Sequence, residues 1–233
     1  ICRPPSSMSK SEPLGIFGGT FDPVHIAHLR LAEEAAEAMG LAAIRWIPAG
    51  QPKHREAPQV TPRHRLAMVE HAVAGNPRFV VDAAEVESGE ASYTVPTLER
   101  LRRDLGAHQP LVLLLGADAF AGLPTWHRWQ ELFGLAHLAI AHRPGFTLEN
   151  AALPAVLAGE FAARRSADPA ALAEAPAGRI CTFAMTPLAI SATQIRTLLA
   201  AGRSPRYLLP PAVIDYIELH HLYRNPSTLA DGS

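Results

Sequence analysis

Gly18-Gly19-Thr20-Phe21-Asp22-Pro23-Val24-His25-Ile26-Ala27-His28 joins a short apolar run, Leu14 to Phe17, to a helical pattern that runs from His25 to Met39 and stops at Gly40. At such a junction the unpaired N–H groups and the positive dipole end of the helix face outward, and glycines let an anion approach the main chain. The string therefore predicts a phosphate site where a strand hands over to a helix. His25 and His28, three apart, are expected on one face of the first helical turn. The dinucleotide fingerprint is absent, because the glycines fall at Gly15, Gly18 and Gly19, and no Gly-Lys-Ser/Thr follows as in a Walker loop. Zinc held by the two histidines would need further ligands. The cysteines are Cys2 and Cys181, and no carboxylate or third histidine stands at tight ligand spacing. An ordinary turn with two surface histidines accounts for either histidine alone, but not for the whole string.

Outward from this turn, runs of strand length recur at Ile44–Ile47, Phe79–Val81, Leu111–Leu115, His137–Ala141 and Ile180–Phe183, each near a segment of helical period. That alternation predicts an α/β fold: a doubly wound, mostly parallel sheet with helices on both faces. Thr61-Pro62 supplies a cap and a first-turn proline to a helix carrying Leu66, Met68, Val69 and Val73, which should end at Gly75-Asn76-Pro77. Further helices are expected over Thr94 to Leu105, from Ser191 to Ala201, and from Pro210-Pro211 through Leu219. Ala151 to Gly178, interrupted by Pro154, Pro169 and Pro176, reads as short surface helices or a variable excursion, with Leu153, Val156, Leu157, Phe161 and Leu172 as its packing residues.

The 233 residues suit one large domain, expected over 13–225 between a disordered leader (1–12) and a disordered tail (226–233). Met8 reads as the natural initiator. A formal charge of -1 gives no global field for nucleic acid, so anion binding must be local. Two distant cysteines fit a reducing compartment, and no apolar run approaches the ~20 residues that span a bilayer. The expectation is a cytoplasmic protein without a membrane or nucleic-acid partner; nothing in the sequence fixes its oligomeric state.

In doubly wound sheets ligands bind beyond the carboxyl ends of the strands, and several further motifs fall there. Pro48-Ala49-Gly50-Gln51-Pro52-Lys53-His54-Arg55 is a turn-rich loop with three potential cations, or simply a solvated charged loop. Gly116-Ala117-Asp118 sets a carboxylate at a strand end, where it can accept from sugar hydroxyls, hold a metal-bound water or cap the next helix. Trp126 and Trp129, three apart on an expected helix, divide between core packing and ligand stacking. Ser92-Tyr93-Thr94 precedes a helix whose first N–H groups can take a carboxylate, unless Thr94 is only its cap. Ile190-Ser191-Ala192-Thr193-Gln194-Ile195-Arg196 offers a second anion-binding helix start and a permanent cation.

Taken together these residues resemble the bacterial nicotinate-nucleotide adenylyltransferases of the nucleotidyltransferase superfamily, from about Leu14 to Arg224. Gly18 to His28 is similar to the Gly-Gly-Thr-Phe-Asp-Pro-x-His-x-Gly-His string and Ile190 to Arg196 to the Ile-Ser-Ser/Ala-Thr-x-Ile-Arg string. Ser92-Tyr93-Thr94, Gly116-x-Asp118, Leu123-Pro124-x-Trp126, Arg143-Pro144-Gly145 and Tyr207-Leu208-Leu209-Pro210 mark the subfamily. Two positions depart from the pattern: Ala27 replaces a glycine, and Lys53 replaces the second proline of the Pro-Pro-His-Lys/Arg loop. The resemblance implies transfer of an adenylyl group from ATP to nicotinate mononucleotide, with Mg2+ held mainly by the phosphates and with no protein nucleophile or protein metal site. It assigns Gly18, Gly19, Thr20, Phe21, His25 and His28 to ATP, His25 nearest the α-phosphate. Ser191, Thr193 and Arg196 are also assigned to ATP, Arg196 and the Ser191 helix start stabilising the leaving pyrophosphate, and Lys53 or Arg55 assists from the loop. Tyr93 and Thr94 receive the nicotinate carboxylate, Trp126 stacks on the pyridine, and Asp118 contacts ribose or the metal shell. Another superfamily member, such as one acting on phosphopantetheine, and a non-catalytic nucleotide sensor are the alternatives.

Overall fold

The structure, a computed structural model, describes residues 11–52, 57–145 and 153–224. Its strands are β1 (Leu14–Gly19), β2 (Ala43–Pro48), β3 (Gln51–Pro52), β4 (Phe79–Val81), β5 (Ala91–Ser92), β6 (Leu111–Gly116), β7 (His137–His142) and β8 (Ile180–Ala184). Six of them form one sheet in the order β4-β2-β1-β6-β7-β8, and every pairing is parallel. The short β3 and β5 pair separately, also in parallel. The helices are α1 (Ile26–Met39), α2 (Pro62–Val73), α3 (Ala84–Ser88), α4 (Thr94–Leu105), α5 (Ala117–Ala121), α6 (Leu132–Leu135), α7 (Ala155–Arg164), α8 (Ala192–Ala200) and α9 (Pro211–Leu219). None of the described helices is long and apolar enough to cross a membrane.

The strands are apolar on both faces because both faces are covered. Along β6, Val112 and Leu114 join a core with Ala32, Ala35, Ala36 and Met39 of α1, Met68 and Val69 of α2, and Val213 and Ile217 of α9. Leu111, Leu113 and Leu115 point the other way, into a core with Val95, Leu98 and Leu101 of α4 and Phe120 of α5. This is the period-2 alternation of a strand between two helical layers. Each large side chain so buried stabilises the fold by roughly 1.5–3 kcal/mol.

Helix limits follow the capping residues. Thr61 caps α2, its hydroxyl accepting from the His64 N–H at 3.4 Å, with Pro62 in the first position. Gly40 closes α1 in the left-handed region at φ 60, which suits a residue without Cβ. Four expectations need correction. His25 is the N-cap of α1 in extended conformation and not part of its first turn. On α2 Arg65 is buried while Leu66 is half-buried, so the stripe is Arg65, Met68, Val69 and Val73. Trp126 and Trp129 do not share a helix: Trp126 ends a 3-10 turn over Leu123–Thr125 and Trp129 begins another over Trp129–Glu131. In the Ala-rich segment Leu157, Phe161 and Leu172 are buried and Leu153 packs beside them, but Val156 is 61% exposed. The expected leader up to residue 10 and the tail lie outside the described residues, as do Lys53, His54 and Arg55.

Candidate active site

The chain winds outward from β1 through β2 to β4, then returns and winds the other way from β6 through β7 to β8. The reversal falls between β1 and β6, and a crevice opens there beyond the strand ends, as in other doubly wound sheets. The crevice is a cleft of about 990 Å³. It gathers the turn after β1, the starts of α1, α4 and α8, and the segment around Trp126.

On the β1 side, Gly18, Gly19, Thr20 and Phe21 border the cleft. The two glycines differ. A Cβ on Gly18 would meet only the Ile47 carbonyl at 4.0 Å, which leaves room for a ligand. At Gly19 the corresponding space is taken by the Phe21 ring at 2.8 Å, so that glycine serves packing. Phe21 itself is buried, at φ 51, with its ring edge-on to His28 at 5.1 Å. His25 and His28 stack with ring centroids 3.7 Å apart, and the His25 backbone N–H donates to His28 Nδ1 at 3.2 Å. That acceptor role places the proton of a neutral His28 on Nε2. His25 is 5% exposed, its Nδ1 has no partner among the described residues, and burial pulls its pKa down to about 4. At neutral pH it is an uncharged imidazole, a hydrogen-bonding group and not a point charge.

Beneath this turn lies a network that the motifs do not announce. Asp22, joined to Pro23 by a cis peptide bond, is buried. Its carboxylate accepts from the Tyr223 hydroxyl at 2.7 Å and from the Gln59 N–H at 2.8 Å. Burial raises the Tyr223 pKa, and the Asp22 charge adds to it, so the phenol remains a donor. Arg196 donates to the Asp22 carbonyl at 2.8 Å and to the Thr193 hydroxyl at 3.2 Å, which orients its guanidinium at the cleft. Ser191 caps α8, accepting from the Gln194 N–H at 3.1 Å.

Arg65 is wholly buried and donates to the carbonyls of Thr20 at 2.7 Å and Gly50 at 2.8 Å. Burial lowers its pKa, with the Asp22 and Glu85 charges acting in the opposite sense. Its signal in the sequence is the i, i+3, i+4 spacing to Met68 and Val69, which puts it on the buried stripe.

Across the cleft, Tyr93 is the N-cap of α4 and Thr94 its first residue, so Thr94 is not the cap. Both border the cleft with Trp126, which is half-buried against the α4-side core. His127, absent from the motif reading, sets its ring 4.8 Å from Tyr93. Asp118 lies in the first turn of α5, exposed at the rim. Glu85 borders the same half, accepts from the Thr97 hydroxyl at 2.5 Å, and has its pKa raised by burial. Among the described residues no group of three or more His, Cys, Asp or Glu could hold a metal ion.

The chain matches the cytidylyltransferase-like family over residues 16–198. A protein of Dechloromonas aromatica named "probable nicotinate-nucleotide adenylyltransferase" is 65% identical over 92% of this chain and 99% of its own length. One of Pseudomonas aeruginosa with the same name is 53% identical over 91% and 98%. Among solved structures, Plasmodium falciparum nicotinic acid mononucleotide adenylyltransferase complexed with NaAD shares the fold at a TM-score of 0.65 and 18% identity, covering 91% of this chain and 97% of that one. A Vibrio parahaemolyticus structure shares it at 0.60 and 14%, over 92% and 96%. The turn after β1, the α8 start and the cleft between them thus sit in a chain that belongs to the bacterial nicotinate-nucleotide adenylyltransferase family.

Proposed function

We propose that this protein, as a single domain over residues 13–225, transfers the adenylyl group of MgATP to nicotinate mononucleotide, giving nicotinate adenine dinucleotide and pyrophosphate in NAD biosynthesis. The observation that carries this reading is one cleft with three helix starts: α1 with its stacked histidines, α8 with Arg196, and α4 with Tyr93-Thr94 beside Trp126. Two anion-binding starts suit a polyphosphate, and the third suits a carboxylate.

The mononucleotide phosphate oxygen attacks the α-phosphorus, and the bond to the bridging oxygen of pyrophosphate breaks. No side chain is needed as nucleophile, so the protein acts by orientation and by stabilising charge on the transferring group and the leaving pyrophosphate. His25 and His28 hydrogen-bond the triphosphate near the α-phosphorus, with Gly18 leaving space for it. Arg196, oriented by Asp22 and Thr193, meets the leaving pyrophosphate with the α8 N–H groups and Ser191. Lys53 and Arg55 add cations from the following loop. Magnesium enters on the triphosphate as part of the substrate, consistent with a hard cation that prefers phosphate oxygens and water, with Asp118 as the carboxylate available to its water shell or to ribose. Tyr93, Thr94 and neighbouring main-chain N–H groups hold the nicotinate carboxylate under Trp126.

The test is pyrophosphate release from ATP and nicotinate mononucleotide with added magnesium. Turnover with this pair, abolished by EDTA without unfolding, is the expected result; turnover only with another phosphate acceptor, or full activity in metal-free buffer, rejects the reading.

A further inference from the structure

Among the described residues Arg65 is the least exposed charged side chain, at 0%. Removing a guanidinium from water costs stability unless it is well paired, yet the two hydrogen bonds that Arg65 makes among the described residues run to backbone carbonyls, and its Nε has no partner there. The two carbonyls belong to opposite ends of a connection. Thr20 follows Gly18-Gly19 in the turn that borders the triphosphate half. Gly50 immediately precedes the short strand β3, and no side chain fits there, because a Cβ would stand 2.1 Å from the Glu85 carbonyl. From Gly50 the connection continues: the Gly50 and Gln51 N–H groups donate to the Ser92 hydroxyl at 2.8 and 3.3 Å, and β3 pairs with β5 in the register Pro52↔Ser92. Ser92 is followed directly by Tyr93 and Thr94 of the carboxylate half.

We infer that Arg65 is a positioning residue for adenylyl transfer, the central link of a strap Thr20–Arg65–Gly50–Ser92 that fixes the two halves of the cleft at the separation the reaction needs. The inference rests on the function proposed above. In a direct transfer both substrates are held at once and no covalent intermediate carries the group between them. The rate then depends on their relative placement, and a shift of about 1 Å can cost about 10²-fold. A planar fork aims two donors at the two carbonyls in fixed directions, whereas the lysine ammonium is a compact point donor on a flexible stem, so lysine is a poor substitute.

The Arg65→Lys variant keeps the charge but loses the rigid fork that holds the two carbonyls at a fixed separation. Its kcat should fall roughly 10–100-fold, while the affinities for ATP and for nicotinate mononucleotide, each measured alone by calorimetry, change less than about threefold, since each half remains intact. Ser92→Ala, at the far end of the strap, should show the same split with a smaller loss. The double variant should lose less than the product of the two, because both cut one connection. Hydrogen exchange of the segments 19–21 and 50–51 in the substrate-free protein should be faster in Arg65→Lys. A folded Arg65→Lys with kcat within twofold of the parent overturns the inference. So do substrate affinities that fall as far as kcat, multiplicative effects of the two substitutions, or unchanged exchange. Should Arg65→Lys not fold, Ser92→Ala decides alone: a lower kcat at unchanged affinities supports the strap, and an unchanged kcat overturns it. If the parent itself fails to turn over this substrate pair while exchange loosens in Arg65→Lys, the strap stands and the substrate assignment falls.

Discussion

The two halves of the cleft are built differently. Around the α1 start the groups are interlocked: Asp22, His25 and Tyr223 are all buried, and Arg196 is tied into the same network. Around the α4 start Tyr93, Thr94 and Trp126 are half-buried and Asp118 is exposed. A buried, fixed array stabilises charge well, because its dipoles need not reorganise when the charge develops. An open shelf is better suited to admitting and sorting a substrate. The first half thus reads as the one that sets rate, and the second as the one that sets which mononucleotide reacts.

The sharpest way to break this comparison is His25→Ala. Loss of one preorganised donor beside the α-phosphorus should lower turnover by roughly 10²–10³-fold in a folded protein. Near-normal turnover would remove the buried half from the chemistry. The same residue gives the next prediction, in stability. His25 has a pKa of about 4 when folded against 6.5 as an ordinary side chain. Between these values the unfolded chain takes up a proton that the folded chain refuses, so stability falls as pH drops from 6.5 toward 4 and is level in this respect above 6.5. The loss approaches about 3 kcal/mol at the acid end. Denaturant midpoints measured between pH 7.5 and 4.5 should show that slope in the parent and a flatter one in His25→Gln.

On the open half, nicotinate and nicotinamide mononucleotides differ only in the group that meets the α4 start. Helix N–H donors match a carboxylate, whereas the amide turns its own N–H₂ toward one of them. We expect a preference for the acid of at least about 10²-fold in kcat/KM; equal values for the two would dismiss the carboxylate pocket. The smallest effect is assigned to Trp126→Ala, which should weaken both mononucleotides by a similar factor of about tenfold or less, since stacking does not sense the exocyclic charge. A large change in their ratio would mean the tryptophan also discriminates.

The sequence carried the six strands of the main sheet and the limits of α1, α2, α4, α8 and α9 almost to the residue, because caps such as Thr61 and Ser191 and stops such as Gly40 and Gly106 act on their own neighbours. Its candidate site residues, apart from Lys53 and Arg55 outside the described residues, border the cleft, since strand ends and helix starts converge in a doubly wound sheet. What it missed depends on distant partners. Asp22 stood inside the quoted string without any sign of Tyr223, 201 residues away. Glu85 and His127 came to the cleft through tertiary packing alone. Arg65 was not among the candidates, although its spacing to Met68 and Val69 marks the buried side. The tryptophans misled because two short 3-10 turns replace the single helix that a three-residue spacing implies.

The bond from Tyr223 to Asp22 has a consequence for how the molecule is made. Translation delivers Asp22 early and Tyr223 201 residues later. At roughly 5–20 residues per second the donor leaves the peptidyl-transferase centre about 10–40 s after the acceptor. Throughout that interval the Asp22 carboxylate lacks its phenol, while its other donor, the Gln59 N–H, is made only 37 residues after it. The turn that carries Asp22 can gain the bond from Tyr223 only once the segment that follows α9 has been made. Order of synthesis thus leaves the turn at the candidate site without one of the two donors to Asp22 until residue 223 has been made.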